Sequence, residues 1–510
     1  MEIRKKAFGP YTLLPHQIAA VQWMIQREED TKMRGGFLCD DMGLGKTVST
    51  VGLMINKPVA MTLVLAPLAV LQQWISTIHA AQGPAVYKFH KGDWRCVGGN
   101  LHNGRVFVTN YDKLVRGGEA FDMHFNRIIC DEAHTLRNYM SKKTVALRKL
   151  TCDKYWFLTG TPIVNGPSDL TCLVSLANSK VRPFIGYSKQ RMESWMGDWA
   201  LHRTAGQMRE LLADMLPKPA IIKEHRLPFA TEDEALFYRG IQGRIAAQLE
   251  HLMEQDRGGG LAMLTLLLRL RQISVHPQVY IKSKKKKGTY LRPDWEGDST
   301  KTDAIVNIMK EEKEGHGYVI FCNFKEEVDI LRERLMKESC VSTVLTYDGS
   351  MSESARAAVI AESEAAMNTT GGEGEVAMLE DVFTKPMIPT DIIRHIMGFK
   401  GPAHTVLLAQ IQCAGTGLNL QHFDRVIFTT PWWTAALMDQ AAGRVLRLGQ
   451  RKQVVIHHIH LEEEGNVSLN IDDFINEKVE EKRELCQRLL EVANRHVMPI
   501  VEAEAEVETN

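Results

Sequence analysis

The sequence predicts an α/β protein built from two parallel-sheet lobes in tandem, with helical protrusions and an inter-lobe linker. Three observations predict it: short β-branched apolar runs that each lead into a polar turn and a helix-period stretch, the falling of those runs into two groups, and a glycine loop ending in Lys-Thr directly after one of them. The first group is MTLVLAP at 61–67, RVFVTN at 105–110, RIIC at 127–130 and YWFLTG at 155–160. The second is YVIFCN at 318–323, TVLLAQ at 405–410 and RVIFTT at 425–430. Strands that are apolar throughout, rather than alternating, belong to parallel sheets covered by helices on both faces.

The 510 residues suffice for two or three domains, and 44% hydrophobic content supports sizeable cores. Lys+Arg and Asp+Glu number 62 each, so any basic binding surface must be local. Nine cysteines are scattered singly without a CxxC, which excludes a disulfide framework, a zinc ribbon and a RING, and fits an intracellular, reducing compartment. The N-terminal MEIRKKAFGPYTLLP has no apolar stretch of the secretory type, and no run of ~20 apolar residues offers a membrane span, so no membrane partner is expected.

Along the chain, residues 1–228 read as the N-terminal lobe and 229–298 as a helical protrusion and linker. Helical patterns cover 232–282, and the lysine run 284–287 with Gly288 and the prolines before Asp298 is the linker candidate. Residues 299–490 read as the C-terminal lobe, interrupted by an irregular insertion loop at about 364–400. The acidic tail 491–510 reads as disordered.

The chemistry starts at Asp40, Asp41, Met42, Gly43, Leu44, Gly45, Lys46 and Thr47, which follow the apolar GFLC at 36–39 and precede the helical VSTVGLMI. Glycines let backbone N–H groups turn in around phosphates, and the helix N-terminus adds positive potential. Lys46 would reach the β- and γ-phosphates of ATP, and the Thr47 hydroxyl would ligate Mg²⁺. The strict loop pattern has glycine where Asp40 stands, and Gly-Lys-Thr alone also fits an ordinary turn. Asp131 and Glu132 end the apolar run RIIC, where such sheets place their acids: Asp131 to hold Mg²⁺, Glu132 to orient the attacking water. An isolated acid pair there also fits a helix cap. Arg444 and Arg447, three apart in the helical-looking stretch 440–450, could stabilise charge on the γ-phosphoryl group, or simply decorate a helix surface.

In this order, the segments resemble the Swi/Snf family of helicase-like DNA translocases in superfamily 2, over nearly the whole chain. LPHQ at 14–17 looks like the adenine-recognising segment, with Gln17 as the reader. DDMGLGKT at 40–47 matches the family's own loop, in which an acid replaces the first glycine. LAPL at 65–68 through Trp74, TNY at 109–111 and LTGTP at 158–162 look like motifs Ia, Ib and III. FCN at 321–323, YDGS at 347–350, AGTGLNL at 414–420, PWW at 431–433 and 440–450 fit the motifs of the second half. LLRLRQISVHP at 267–277 and RLGQ at 447–450 are specific to this family among DEAH-box proteins. Leu446 departs from the His common there.

The resemblance implies two RecA-like lobes with the ATP site between them, Mg²⁺ as companion, and Gly415 of motif V near the nucleotide. It implies DNA-backbone contacts from Thr109, Thr161, Asn323, Thr416 and Asn419. The expected function is ATP-driven translocation on double-stranded DNA that remodels or displaces nucleosomes, polymerases or repair and transcription complexes, in the nucleus or a viral replication compartment. The alternatives are a strand-separating DNA or RNA helicase and a non-catalytic ATP-sensing scaffold.

Overall fold

A computed structural model describes residues 3–30, 35–184, 186–209, 212, 216–254, 260–286, 288, 290–369, 403–414, 418–447, 449–462 and 470–494. The chain divides into two compact units between Leu216 and Pro217, with the segment from Glu480 onward counted with the first.

The first unit runs β1 (Ala7–Phe8), β2 (Tyr11–Thr12), α1 (Pro15–Glu29), β3 (Gly35–Leu38), α2 (Lys46–Asn56), β4 (Met61–Leu65), α3 (Leu71–Ala80), β5 (Pro84–His90), β6 (Asp93–Gly98), β7 (Asn100–Thr109), α4 (Tyr111–Arg116), β8 (His124–Phe125), β9 (Arg127–Asp131), α5 (Lys142–Arg148), β10 (Thr151–Cys152), β11 (Tyr155–Leu158), α6 (Pro167–Ala177), α7 (Lys189–Trp199) and β12 (Ala200–Leu201). Eight strands form one sheet in the order β12-β3-β11-β9-β4-β7-β5-β6. Its pairs are parallel except β5 with β6.

Side-chain alternation sorts the apolar runs onto two faces. Phe37, Ile128, Cys130, Tyr155 and Phe157 pack on one side with Leu147 of α5, Leu170 and Val174 of α6 and Trp195 of α7. Leu38, Val64, Ile129, Trp156 and Leu158 pack on the other with Val21 of α1, Val51 of α2 and Trp74 of α3. Both faces are therefore covered, as the continuous apolar runs require.

One buried charge pair pins this sheet to α1. Arg127 donates to both carboxylate oxygens of Glu28, Nε to Oε1 at 2.6 Å and a terminal nitrogen to Oε2 at 2.8 Å, and Trp156 Nε1 adds a bond of 2.9 Å. Burial works against the Glu28 charge, but Arg127 beside it holds the carboxyl below its ordinary range. Removing one partner strands the other charge in the core, which costs about 3–5 kcal/mol. Arg127→Ala is therefore expected to lower the urea midpoint of unfolding, with Glu28→Ala/Arg127→Ala less destabilised than the sum of the singles. Strict additivity would mean that the pair is not coupled.

The second unit runs β13 (Ile221–Leu227), α8 (Glu232–Glu254), α9 (Gly260–Val275), α10 (Pro277–Lys285), α11 (Thr300–Glu311), β14 (Gly317–Cys322), α12 (Lys325–Leu335), β15 (Val341–Tyr347), α13 (Glu353–Thr369), β16 (His404–Gln410), β17 (Arg425–Phe428) and β18 (Val455–Leu461), with helices Ile411–Ala414 and Ala435–Ala442 and the part of the helix Ile471–Asn494 that precedes Glu480. Its six strands are ordered β13-β18-β17-β14-β16-β15, every pair parallel.

Several boundaries differ from the sequence reading. Residues 221–227, expected in the first lobe, form the edge strand of the second sheet. The lysine run does not separate the units. Lys284 and Lys285 lie in the last turn of α10, Lys285 pairs with Asp294 at 2.7 Å, and Lys286 pairs with Glu326. The helical middle breaks at Pro277, which opens α10 after His276 caps it. The first residues of the expected insertion, 364–369, continue α13. Residues 491–494, expected in the disordered tail, continue the helix Ile471–Asn494, whereas residues 370–400 and those from 495 onward lie outside the described residues.

A second buried charge pair lies in this unit. Lys301 Nζ reaches Asp472 Oδ2 at 2.6 Å. The same carboxylate accepts from Ser274 at 3.0 and 3.1 Å, from Thr430 at 2.9 Å and from the Leu461 N–H at 3.0 Å. All nine cysteines are free. Six are buried, Cys413 and Cys486 are half-buried, and Cys96 is exposed. Among the described residues no helix is long and apolar enough to cross a membrane.

Candidate nucleotide site and the motifs around it

Three strand ends of the first unit stand side by side. β11 pairs with β3 on one edge and β9 on the other, and Leu158 is level with both Leu38 and Asp131. The three segments that follow are the glycine loop, the loop Thr159–Thr161 and the acid pair, so sheet register alone brings them together. Crevices at the carboxyl ends of parallel strands are where such sheets bind ligands.

The loop turns on Gly43 (φ 86°) and Gly45 (φ 80°), both in the left-handed region that glycine adopts without strain. Gly45 also caps α2, and a Cβ there would stand 2.3 Å from Gln17 Nε2. Lys46 Nζ donates to the carbonyls of Asp40 at 2.6 Å and Asp41 at 3.3 Å. A Cβ on Gly160 would lie 3.6 Å from the Asp40 carbonyl and 4.0 Å from Lys46 Nζ, which places motif III against the loop. Thr47 is half-buried in the first turn of α2 and Met42 half-buried in the loop, while Leu44 is buried. Gln17 is buried rather than open: its Oε1 accepts from Leu14 N at 3.0 Å, and its Nε2 points to the Leu44 carbonyl at 3.4 Å.

Asp131 is held from two sides: Trp74 Nε1 donates to Oδ2 at 2.8 Å and the Glu132 N–H to Oδ1 at 3.0 Å. Burial first, and the neighbouring Glu132 charge second, push its carboxyl above the usual range. Tyr111 OH donates to the Asp131 carbonyl at 2.7 Å, tying motif Ib to the acid pair. Glu132 adopts φ 48°, ψ 50°, a left-handed conformation that costs a non-glycine residue energy and clusters at functional sites. Its carboxylate faces His134 Nδ1 at 3.4 Å, and the same nitrogen lies 3.4 Å from Thr159 Oγ1. Motif II thereby touches motif III.

Sequence reasoning missed Arg203. This arginine follows edge strand β12 and grips Asp40 with two nitrogens, Nε to Oδ1 at 2.9 Å and a terminal nitrogen to Oδ2. Both Asp40 oxygens are thus turned into the protein, and the residue is 1% exposed. The one signal available was the acid itself: a carboxylate in place of a loop glycine needs a cation, but nothing local said which.

Among the described residues no cluster of three or more His, Cys, Asp or Glu is arranged to hold a metal by itself. One carboxylate (Asp131) and one hydroxyl (Thr47) beside a phosphate loop suit Mg²⁺ instead, which keeps several waters and takes further ligands from phosphates.

In the second unit, the helix expected over 440–450 ends at Ala442. Gly443 closes it, and Arg444 and Arg447 sit in the following turns rather than on a helix face. Gln450 draws the chain away by donating to the carbonyls of Gln421 at 2.8 Å and Phe423 at 3.0 Å. Arg444 is buried; Arg447 is half-buried, its Nε donating to the Gly443 carbonyl at 3.2 Å.

Among the expected backbone contacts, Thr109 Oγ1 in the first unit and Asn323 Oδ1 in the second are buried polar atoms without a partner among the described residues. Thr161 is half-buried and Asn419 exposed, while Gly415 and Thr416 lie outside the described residues. Arg271, within the segment 267–277, stacks 4.6 Å from the Trp432 ring centre, with Trp433 and Phe324 at 5.8 and 5.9 Å. Burial lowers its pKa to about 10.

Two parallel α/β units, the first with a glycine loop and an acid pair at the strand ends on either side of β11, define a helicase-like ATPase. The chain belongs to the SNF2-related family: the model described as SNF2-related domain matches residues 16–279, and that described as Helicase conserved C-terminal domain matches 387–449. The second match begins inside the expected insertion, so residues 387–400 belong to the conserved domain.

The chain is 25% identical over 475 residues to "Probable global transactivator" of Orgyia pseudotsugata multicapsid polyhedrosis virus, covering 89% of this chain and 87% of that protein. It is 22% identical over 518 residues to "ISWI chromatin-remodeling complex ATPase ISW1" of Saccharomyces cerevisiae, covering 94% of this chain but 40% of that one. Among solved structures, "Sulfolobus solfataricus SWI2/SNF2 ATPase core in complex with dsDNA" covers 97% of this chain and 99% of its own, at 22% identity and a TM-score of 0.38.

Proposed function

We propose that this SNF2-family ATPase hydrolyses Mg²⁺-ATP at the loop 40–47 and uses the cycle to translocate along double-stranded DNA, displacing proteins bound to it. The observation that carries the reading is the side-by-side placement of Lys46, Asp131–Glu132 and Thr159–Gly160 at three adjacent strand ends. Lys46 leaves the two backbone carbonyls for the β- and γ-phosphates. Thr47 and Asp131 would hold Mg²⁺, whose positive charge would offset the negative charge that develops on the phosphates. Glu132 orients the attacking water and takes its proton. Arg444 and Arg447 supply guanidinium charge to the γ-phosphoryl group in the closed state of the cycle. Contact of Glu132 with His134, and of His134 with Thr159, gives a route from hydrolysis to the loop after β11.

Thr109, Thr161, Asn323, Thr416 and Asn419 hold one strand through its phosphates, a mode that carries no sequence preference. The place of action is the nucleus or a viral replication compartment, with nucleosomes or transcription complexes as the obstacles cleared. ATP hydrolysis measured with duplex DNA, single-stranded DNA, RNA and nucleosomes tests this. Duplex DNA is expected to stimulate turnover regardless of sequence, with an apparent affinity that falls steeply as salt rises. Stimulation by RNA alone would overturn the proposal in favour of an RNA helicase.

A further inference from the structure

The phosphate loop is not free-standing. The segment that follows α7 lies along it residue by residue. Cys39 N–H donates to the Leu201 carbonyl at 2.7 Å, and Asp41 N–H to the Arg203 carbonyl at 2.9 Å. Ala205 N–H returns a bond of 2.9 Å to Asp41 Oδ2, and His202 stands 3.8 Å from Asp41 Oδ1. Further on, Met208 and Leu212 bury Leu44. At the centre of this strap is Arg203. Besides its two bonds to Asp40, it donates to the His16 carbonyl. His16 in turn contacts the Leu44 carbonyl at 2.9 Å from the other side.

Asp40 and Arg203 are 1% and 4% exposed. Desolvating two charges offsets most of their attraction, so such a pair contributes little net stability, while breaking it leaves an uncompensated charge. What it does supply is geometry. Holding the Asp40 carboxylate from behind fixes that residue's peptide, and the Asp40 carbonyl is the one on which Lys46 Nζ rests at 2.6 Å. A freely turning loop would leave that carbonyl, and the ammonium on it, without a set direction.

We propose that Arg203 is a positioning residue for the ATPase reaction: by clamping Asp40 it sets the phosphate loop and the resting place of Lys46. The acid at the first loop position is therefore a structural partner of Arg203 rather than a phosphate contact. This rests on the reading of the loop as the ATP site. Without the guanidinium, Asp40 becomes an unpaired anion immediately behind the phosphates, where it competes for Lys46 and repels the nucleotide.

The test is a kcat and KM measurement for ATP on the full chain with saturating duplex DNA, for Arg203→Gln, Arg203→Lys, Asp40→Asn, the double variant Arg203→Gln/Asp40→Gly, and Lys46→Ala. Arg203→Gln is expected to raise KM about tenfold, equal to about 1.4 kcal/mol, with kcat changed much less. Arg203→Lys, one point charge where two parallel bonds stood, should fall between. The double variant, which removes the stranded anion by placing glycine at position 40, should recover most of the KM, a rescue that a purely structural defect would not give. Should Arg203→Gln not fold, the milder Arg203→Lys and Asp40→Asn decide: both are expected to raise KM, and the clamp is refuted if both keep it within about twofold of wild type, or if the double variant is no better than Arg203→Gln. Lys46→Ala separates the two claims. If it leaves ATP turnover intact, the loop is not the ATP site. If it abolishes turnover while the Arg203 and Asp40 variants behave as wild type, only the clamp is wrong.

Discussion

Glu132→Gln is expected to bind ATP and lose turnover by about a thousandfold, or about 4 kcal/mol of transition-state stabilisation. Glutamine has the same length and still fills the space beside His134, 3.4 Å from the carboxylate in the native chain. The backbone of residue 132 also keeps its left-handed turn, so the loop that carries Asp131 and the contacts of Asp131 with Trp74 and Tyr111 stay in place. What glutamine cannot do is accept the proton of the attacking water. Phosphate release at saturating ATP and duplex DNA, paired with nucleotide binding by a fluorescent analogue, checks this. Turnover within tenfold of wild type would remove Glu132 from the role of base. Loss of binding as well as turnover would point to damage of the loop.

The second large effect is on stability. Lys301→Met leaves Asp472 fully buried with its three neutral donors, Ser274, Thr430 and the Leu461 N–H, but no countercharge. The expected cost is about 3–5 kcal/mol. Burial raises the Asp472 pKa, and Lys301 with the hydrogen bonds more than offsets this, so the folded carboxyl lies below its ordinary value. A depressed folded pKa contributes stability that is present in full above the ordinary carboxyl range and is lost as pH falls through the folded value. The wild-type advantage over Lys301→Met should therefore be largest near neutral pH and shrink on acidification. Urea unfolding across pH values, with Lys301→Met/Asp472→Leu as the neutral double variant, measures it. A single variant within 1 kcal/mol of wild type would mean that Asp472 is solvated in a way the burial of both residues denies.

The parts legible in the sequence are those whose physics is local. β4, the end of β7 from Val106, β9, β11, β14, β16 and β17 are apolar on both faces, so composition alone marks them. The loop 40–47 and the acid pair are contiguous, and each follows such a strand. β18 was missed because VIHHIHL carries three histidines. Two of its neighbours explain how it is tolerated: His457 Nδ1 meets His225 Nε2 at 2.9 Å, and His460 meets Glu224 at 2.8 Å, so polar side chains satisfy one another across the β13–β18 pair. The β5–β6 hairpin was missed because its turn is built on Lys91 and Gly92, at φ 49° and 90°, instead of the usual Asn-Gly. The Asp40–Arg203 clamp joins residues 163 apart, and no periodicity reaches that far. The reading of 440–450 as one helix failed for a different reason. Apolar spacing continues past Ala442, but the side chain of Gln450 bonds the Val445 carbonyl, which an unbroken helix would have used internally, and ties the chain to the carbonyls of Gln421 and Phe423.

The distribution of the thiols has a practical consequence. Burial pushes the Cys39, Cys130, Cys172 and Cys322 thiols far from ionisation, with Cys172 raised to about 12. Cys96, alone among the nine in being exposed, stands on β6 at the outer edge of the first sheet, remote in the strand order from the ends that carry the nucleotide chemistry. The chain thus offers one fully exposed thiol as a position for a maleimide dye or a surface tether, from which the proposed stepping along a duplex could be tested.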